Sequence, residues 1–402
     1  MAEKWSRAWS NVVFSTRERD RRWAKVRSLM RRDGVDVLAV LPCSNSHNRG
    51  AADALYLTQL GEAADETVVL FPLENEPTAW LSRGGVWPSS NWFTDIRAAT
   101  RGTGGRVIID RLREIGFERG TIGIPGLTGG VLAHCREGEG EVNWQSVEMI
   151  KRAFPNAAVV SATELLGEAR FQKSAEEIDF LRKGTLLGEK ILQTILDYAH
   201  VGVPERRVFA QMWATNAREG GSVTPMFGWT CGPFPNVYHR VEQPSFRSFQ
   251  PGDFLSVEID GRWGGYISQI DPCFYFGKAP RELEDVHRAI FDTFNNALSI
   301  LRAGMTVADV FSRANQTALD GRLQTTLSMH GRGTGDDGPL ALGLRDTHLL
   351  GVELKENSVM MLRASGSLDG VSYGRWADTV VIRRNAAERL GTRPQILYEV
   401  EG

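Results

Sequence analysis

The chain has few cysteines and no long hydrophobic run. Its 402 residues include four cysteines, and none of these stands in a C-x-x-C pair. This scatter excludes a recognisable zinc or disulfide framework and favours a cytoplasmic protein with reduced thiols. No apolar run reaches the roughly 18 residues of a membrane helix, and the first residues lack the apolar core of a signal peptide. We therefore expect a cytoplasmic protein without a membrane partner.

The chain also lacks an excess of positive charge. It carries 47 Lys and Arg against 49 Asp and Glu, for a formal net charge of −2. A nucleic-acid-binding domain usually shows a basic stripe, so we expect no nucleic-acid partner. There is no P-loop, and the glycines at 102–105 do not follow a strand with the dinucleotide spacing. Nucleic acids and nucleotides therefore fall outside the expected ligands.

Predicted strands and helices alternate in the first part of the chain. Charged residues around apolar ones at helical spacing predict a helix over 17–32, and Gly34 follows it as a stop signal. Alternation of this kind is typical of an α/β domain, which we place at residues 1–168. Further strands are predicted at 35–41, 67–71, 77–81, 120–124 and 157–161, and helices at 105–115 and 144–153.

The order of predicted elements changes after residue 168. Ser174 with Glu177 three residues later has the pattern of a capping box, so a helix starts there. A second helix, a hairpin, two more helices and a stretch of strands follow, with no βαβ alternation. This order is typical of an α+β domain in which a curved antiparallel sheet is backed by helices. We place this second domain at residues 169–402.

The hairpin of the second domain carries polar side chains on apolar strands. A strand predicted over 254–259 turns at 261–265 into a second strand over 266–276. Side chains alternate between the two faces of a strand, so the two polar residues of each strand lie on one face. Acids on such apolar strands are costly to bury unless a site uses them. The alternative is a surface hairpin with solvated acids. The four residues are Glu258, Asp260, Gln269 and Asp271.

Five segments in a fixed order carry a family resemblance. They are RFQKSAEEIDFLRKG at 170–184, the Pro-Gly-Asp turn at 251–253, Gly-Tyr at 265–266, His-Gly at 330–331 and Ala-Asp-Thr-Val-Val at 377–381. Together they resemble the creatinase/aminopeptidase P/methionine aminopeptidase family. The resemblance covers essentially the whole chain. It implies an α/β N-terminal domain plus an α+β pita-bread C-terminal catalytic domain, usually in a homodimer.

The resemblance also implies that a two-metal site has been lost. The family's metallopeptidases hold two metal ions with two Asp, one His and two Glu. An arginine inside such a cage would repel a cation, and Gln and Ala do not replace a carboxylate. We therefore expect no metal cofactor. The matching positions here are Glu258, Gln269, His330, Arg363 and Ala377.

Creatinase and ectoine hydrolase are family members that work without metal. This sequence matches creatinase better than it matches the metallopeptidases. Asp271 stands where creatinase carries an acid, and His239 stands where its catalytic histidine lies on a loop. His330 matches its second histidine. Arg363 departs from creatinase, which keeps a glutamate there, and creatinase's N-terminal arginine has no counterpart. The resemblance therefore implies a substrate other than creatine.

The resemblance and side-chain chemistry together suggest roles for these residues. His239 would take a proton from water and return it to a leaving nitrogen, with His330 as the rival. Asp271 or Glu258 would orient that histidine or bind a cationic group. Trp229 and Phe234 are alternatively core residues, and Arg332 alternatively caps carbonyls. Contacts with the substrate are predicted for Arg363, Arg332, Trp229, Tyr238, Phe234, Asp260 and Asp336.

These assignments favour a metal-independent, creatinase-like hydrolase of a C–N bond in a small, carboxylate-bearing metabolite. A lyase is a second hypothesis, because a lyase branch of the family has its base at the position of Asp336. Alternatively, Asp336 and Asp337 form a solvated turn. A non-enzymatic binder is a further alternative. The remaining hypothesis is an Xaa-Pro metallopeptidase with a rearranged site of Glu258, Asp260, Asp271 and His330.

Overall fold

The computed structural model describes residues 14–401 except 43–50, 61–65, 83–91, 93, 137, 223–224, 236–242, 315–320, 336, 343–348 and 350. The chain divides into two compact units, Met1–Glu176 with Gly333–Gly338, and Glu177–Arg332 with Pro339–Gly402. The domain limit predicted between residues 168 and 169 stays a prediction. Within the described ranges, every helix is too short or too polar to cross a membrane.

The first unit contains one six-stranded sheet with helices, as the alternating pattern predicted. The strand order is β4-β3-β2-β1-β5-β6, and β2 runs antiparallel to both of its neighbours while the other pairs are parallel. The strands are β1 Val37–Val40, β2 Thr67–Pro72, β3 Thr78–Leu81, β4 Asp95–Ala98, β5 Gly120–Ile124 and β6 Ala157–Ser161. The helices are α1 Thr16–Asp33, α2 Ala52–Thr58, α3 Gly104–Glu114, α4 Trp144–Ala153 and α5 Thr163–Phe171.

Local sequence signals explain why α1 forms where it was predicted. The side chain of Ser15 accepts a hydrogen bond from the backbone N–H of Glu18, which caps the first turn. Gly34 ends the helix with a φ of 67°, a left-handed conformation that glycine adopts without strain. Trp23 and Val26 are buried on the predicted apolar side. The helix is therefore fixed by its two ends and by its apolar face.

The first unit buries a chain of charged side chains. His134 lies between two carboxylates, with its Nε2 2.8 Å from Asp53 Oδ2 and its Nδ1 bonded to Glu141. Arg170 pairs with Asp53 from the other side. Burial alone would lower the pKa of His134, but the attraction of Asp53 and the hydrogen bonds with Asp53 and Glu141 outweigh it and raise the pKa to about 9. The imidazole is therefore a cation at neutral pH.

The segment at 333–338 belongs to the same charged chain. Asp337 is 1% exposed and lies 2.9 Å from Arg170 Nη2 and 3.2 Å from Lys173 Nζ. The alternative that Asp337 occupies a solvated turn is therefore wrong, because two buried cations hold its carboxylate. Asp336 falls outside the described residues.

The second unit contains two sheets with helices, which confirms the predicted α+β order. One sheet has the order β15-β10-β8-β7 with β9 also on β8, and the other is β11-β12-β13-β14. The strands are β7 Met226–Pro233, β8 Asp253–Trp263, β9 Tyr266–Ile270, β10 Cys273–Phe276, β11 Leu323–Gly331, β12 Val359–Leu368, β13 Val371–Val381, β14 Glu388–Arg389 and β15 Tyr398–Val400. The helices are α6 Ala175–Tyr198 (in this unit from Glu177 onward), α7 Glu205–Arg218, α8 Arg281–Ile300 and α9 Val307–Arg313.

The hairpin is longer on its first strand than predicted. β8 continues past the expected end at residue 259 and leaves only Gly264 and Gly265 for the turn. Both glycines have positive φ, 55° and 79°, so the reversal needs two residues rather than five. Glu258 and Asp260 consequently both lie within a paired strand, two residues apart on one face.

The second strand of the hairpin is interrupted where it meets the other sheet. Ile270 opposes Ile259 and Cys273 opposes Ser256, so the register is the same on both sides of the break. Proline at 272 has no N–H for the ladder. The N–H of Asp271 donates instead to the carbonyl oxygen of Ala377 in β13, at 3.1 Å. The two sheets of the second unit are therefore joined at Asp271.

We expect the stability of the chain to fall as the pH rises from about 6.5 to about 9. The pKa of His134 is raised on folding, so its stabilising contribution is complete below about 6.5 and is lost as the pH passes about 9. A shift of this size corresponds to roughly 3 kcal/mol in the free energy of unfolding. Asp53, Glu141 and Arg170 are the charged groups that face the ring.

Chemical unfolding of the wild type and of His134→Gln between pH 6 and pH 10 measures this effect. The variant cannot take up the proton, so its free energy of unfolding should be lower than that of the wild type at pH 6. The two values should converge toward pH 10. A difference between the two proteins that stays constant across this range would contradict the assignment to His134.

Candidate functional site

Two arginines neutralise two carboxylates where the sheets of the second unit join. Nε of Arg363 donates to Asp271 Oδ2 at 2.7 Å, and its Nη2 donates to Glu258 Oε2 at 3.1 Å. Arg375 approaches the same two oxygens, with Nε 3.1 Å from Asp271 and Nη2 3.5 Å from Glu258. We call these four residues the arginine–acid cluster. It holds two positive and two negative charges.

Strand pairing explains why the arginines reach these acids. Arg363 in β12 lies directly opposite Ala377 in β13, and Ala377 forms a bridge with Asp271. The methyl group of Ala377 is too short to separate the arginine from the carboxylate. Arg375 lies two residues before Ala377 on the same strand and so shares its face. The cluster is therefore a consequence of register across two sheets.

The carboxyl group of Asp271 is ionised in this setting. It is fully buried, and burial alone would raise its pKa. The charges of Arg363 and Arg375 and the hydrogen bonds from Gln269 and Arg363 outweigh that effect and lower the pKa to about 2. An ionised carboxylate only accepts hydrogen bonds. Asp271 therefore fixes the orientation of every donor around it, including the side-chain amide of Gln269.

A second ion pair lies beside the cluster. Nη2 of Arg332 donates to Asp260 Oδ1 at 3.1 Å, and Nη2 of Arg262 lies 4.0 Å from the other oxygen of Asp260. All three side chains are buried. Arg332 was predicted to bind a substrate carboxylate or to cap carbonyl groups, and in the structure its partner is Asp260. That pairing neutralises the second acid of β8.

His330 lies at the end of β11 on the same face as Arg363. Ser328 opposes Arg363, and His330 follows two residues later on the same strand. Its ring is buried, and Nδ1 is 3.2 Å from the carbonyl oxygen of Gly331. A carbonyl only accepts, so Nδ1 carries the hydrogen in that bond. A neutral ring in this tautomer presents Nε2 as an acceptor.

The two aromatic residues predicted to line a pocket occupy different places. Trp229 is fully buried in the core, where its ring packs at 5.7 Å against Phe209 and its indole N–H donates to Glu205 at 2.9 Å. We therefore correct its predicted contact with substrate, because its ring is fully buried in the core and its indole N–H is bonded to Glu205. Phe234 is half-buried and packs edge-on against Tyr373 at 4.8 Å. Its predicted substrate contact stays a prediction.

Three predicted site residues lie outside the described residues. They are the proposed acid/base His239, its neighbour Tyr238 and the candidate lyase base Asp336.

The residues present do not fit the two-metal centre that the resemblance implies. Gln269, Arg363 and Ala377 replace three of the five ligands. Across the described part of the chain, no three His, Cys, Asp or Glu side chains are grouped to hold a metal ion. A dication between Glu258 and Asp271 would also meet the guanidinium groups of the cluster. The acids of the site are arranged around arginines instead.

Arg375 is a residue of the site that was not predicted from the sequence. It lies two residues before Ala377, which had been placed at a ligand position, and strand alternation alone would have put both side chains on one face. No sequence pattern indicates that Arg375 would reach Glu258 and Asp271, because those contacts depend on how the two sheets meet.

The model of metallopeptidase family M24 matches residues 179–384. The uncharacterized hydrolase/peptidase y4tL of Sinorhizobium fredii is 26% identical over 319 residues, which are 74% of this chain and 75% of that protein. Ectoine hydrolase of Halomonas elongata is 21% identical over 179 residues, 41% of this chain and 44% of that protein.

A solved structure matches nearly the whole chain. The Xaa-Pro dipeptidase from Bacillus anthracis superposes with a TM-score of 0.72 at 16% identity, covering 95% of this chain and 100% of that one. At this identity the likeness concerns the fold, and it confirms the predicted pita-bread architecture. The family model spans just over half of the residues, and the chain therefore belongs to metallopeptidase family M24.

Proposed function

We propose that this member of the family is a metal-independent hydrolase of a C–N bond in a small, carboxylate-bearing metabolite. The observation that carries the proposal is the position of Arg363, which takes the place of a metal ligand and bonds to both Asp271 and Glu258. Ectoine hydrolase and a hydrolase/peptidase among the relatives support the reaction class. The resemblance alone supports a homodimer, which a mass measurement in solution tests.

The balance of charge favours an anionic substrate. The site contains three acids and four arginines. Its net charge is therefore +1 if His330 is neutral. Arg363 is 17% exposed and uses two of the five N–H groups of a guanidinium on Asp271 and Glu258. The outer side of its planar fork suits a carboxylate. The residues counted are Glu258, Asp260, Asp271, Arg262, Arg332, Arg363 and Arg375.

Hydrolysis at such a site needs a side chain that moves protons. The water oxygen bonds to the carbon of the C–N group while its proton passes to a base, and the same group then protonates the nitrogen as the C–N bond breaks. We assign this task to His239, because histidine is the side chain whose unperturbed pKa lies closest to neutral pH. His330, which matches the second histidine of creatinase, hydrogen-bonds the substrate. Asp271 remains ionised and holds the arginines in place.

We expect the purified wild-type chain to hold no stoichiometric divalent ion, and a chelator to leave its activity unchanged. The matched control is the triple variant Gln269→Asp, Arg363→Glu, Ala377→Glu, which restores the family's carboxylates. Elemental analysis after dialysis against zinc or manganese should find metal in the variant and not in the wild type. One or two tightly bound ions per wild-type chain, with activity lost on their removal, would favour the metallopeptidase alternative.

We expect His239→Ala to lower turnover by about 10²–10⁴-fold while substrate affinity stays within a few-fold, because only proton transfer is removed. Turnover is measured on substrates found by screening small N-acyl and amidino carboxylates for amine release. His330→Ala is the comparison, and it should raise KM more than it lowers kcat. A His239→Ala variant with nearly wild-type turnover would transfer the role to His330 or Asp271.

The same assay separates hydrolysis from the lyase alternative. Hydrolysis in heavy-oxygen water places one labelled oxygen in the product, since water supplies the new bond to carbon. Elimination breaks the C–N bond without adding that oxygen. An unlabelled, unsaturated product would therefore favour the lyase, with Asp336 as the candidate base.

A further inference from the structure

A buried hydrogen-bond acceptor of the site has no partner among the residues that the structure describes. The side chain of Gln269 is 1% exposed, and its Nε2 donates to Asp271 Oδ1 at 2.9 Å. Its Oε1 is buried and has no hydrogen-bond partner among the residues that the structure describes. An unpaired buried acceptor destabilises the folded chain, so such an atom calls for an explanation.

The orientation of this amide is fixed by its neighbour. Asp271 is paired with Arg363 and Arg375, so its carboxylate carries no proton and only accepts. The NH₂ group of Gln269 must therefore face Asp271, and Oε1 must face the other way.

The described groups that bond or pair with Gln269 make no hydrogen bond to Oε1. Asp260 lies directly opposite Gln269 in the hairpin, but it is a carboxylate already held by Arg332. The hydroxyl group of Thr379 donates to the backbone oxygen of Gln269 at 3.0 Å and accepts from its backbone N–H at 2.7 Å. That pair of bonds fixes the backbone of Gln269 and does not involve its side chain. A donor from a ligand would satisfy Oε1.

We propose that Gln269 Oε1 accepts a hydrogen bond from the scissile N–H of the substrate, so that the site takes secondary amides or amidines that carry a carboxylate. This inference rests on the proposed C–N hydrolase function. Gln269 and Arg363 both bond to Asp271, which places the acceptor for N–H beside the arginine for the carboxylate. A tertiary amide, such as the bond before proline, has no N–H to offer.

Two small probes that differ by one methyl group test the inference. N-acetylglycine is a secondary amide with a carboxylate, and N-acetylsarcosine is its N-methylated counterpart. Titration calorimetry measures Kd for each, or KM replaces Kd where the chain hydrolyses the probe. The wild type should bind N-acetylglycine at least tenfold more tightly, since the methyl group removes the donor and leaves Oε1 unpaired. No measurable binding of N-acetylglycine, or equal binding of both probes, would overturn the proposal.

Two variants of Gln269 distinguish recognition of the substrate N–H from the positioning of Asp271. Gln269→Met removes the acceptor and the donor, whereas Gln269→Glu keeps an acceptor oxygen and loses the amide donor to Asp271. The preference for the secondary amide should fall to within about threefold in Gln269→Met and persist in Gln269→Glu, even if both probes bind more weakly. Loss of the preference in both variants would show that Gln269 only positions Asp271. Circular dichroism checks that each variant is folded.

A failure of the role proposed for Gln269 can be distinguished from a failure of the proposed function. A tenfold preference in a chain that holds catalytic metal would refute metal independence and retain the role of Gln269. Equal binding of the two probes by a metal-free hydrolase would refute the role of Gln269 alone.

Discussion

The ion pair between Arg363 and Asp271 is the interaction on which the site depends. A fully buried carboxylate is costly unless a cation and hydrogen bonds compensate for its lost hydration, and Arg363, Arg375 and Gln269 supply them. The ionised Asp271 in turn orients the amide of Gln269 and, through Arg363, neutralises Glu258. Its backbone N–H ties the hairpin to β13. One residue thus links the charge of the site to the junction of two sheets.

The same scaffold supports different chemistry when a few side chains change. The register of β12 and β13 places Arg363 opposite Ala377, so a long cation fills space beside a small residue. The family's metallopeptidases surround metal cations with carboxylates. In this chain the carboxylates are surrounded by the guanidinium groups of arginine side chains. The acids Glu258 and Asp271 remain, but guanidinium groups now occupy their surroundings. Fold membership therefore does not fix the reaction, and the site must be argued from its residues.

Local patterns predicted most elements because they act over short distances. The cap at Ser15, the stop at Gly34 and helical periodicity placed α1 within a residue or two of its observed limits. The hairpin was predicted with its turn too long, since paired glycines allow a two-residue reversal. Trp229 was predicted as a pocket or core residue, and only packing around its ring and the bond to Glu205 decided for the core.

Residue identity alone places Gln269, Arg363 and Ala377 where the resemblance implies metal ligands, and these residue types cannot form a cage of carboxylates. How their side chains pair depends on the folded chain. Arg363 and Asp271 are 92 residues apart in the chain and meet only because two sheets join at that point. Ion pairing depends on distance in space, which periodicity along one strand does not encode. That is why Arg375 and the unpaired oxygen of Gln269 became visible only in the folded chain.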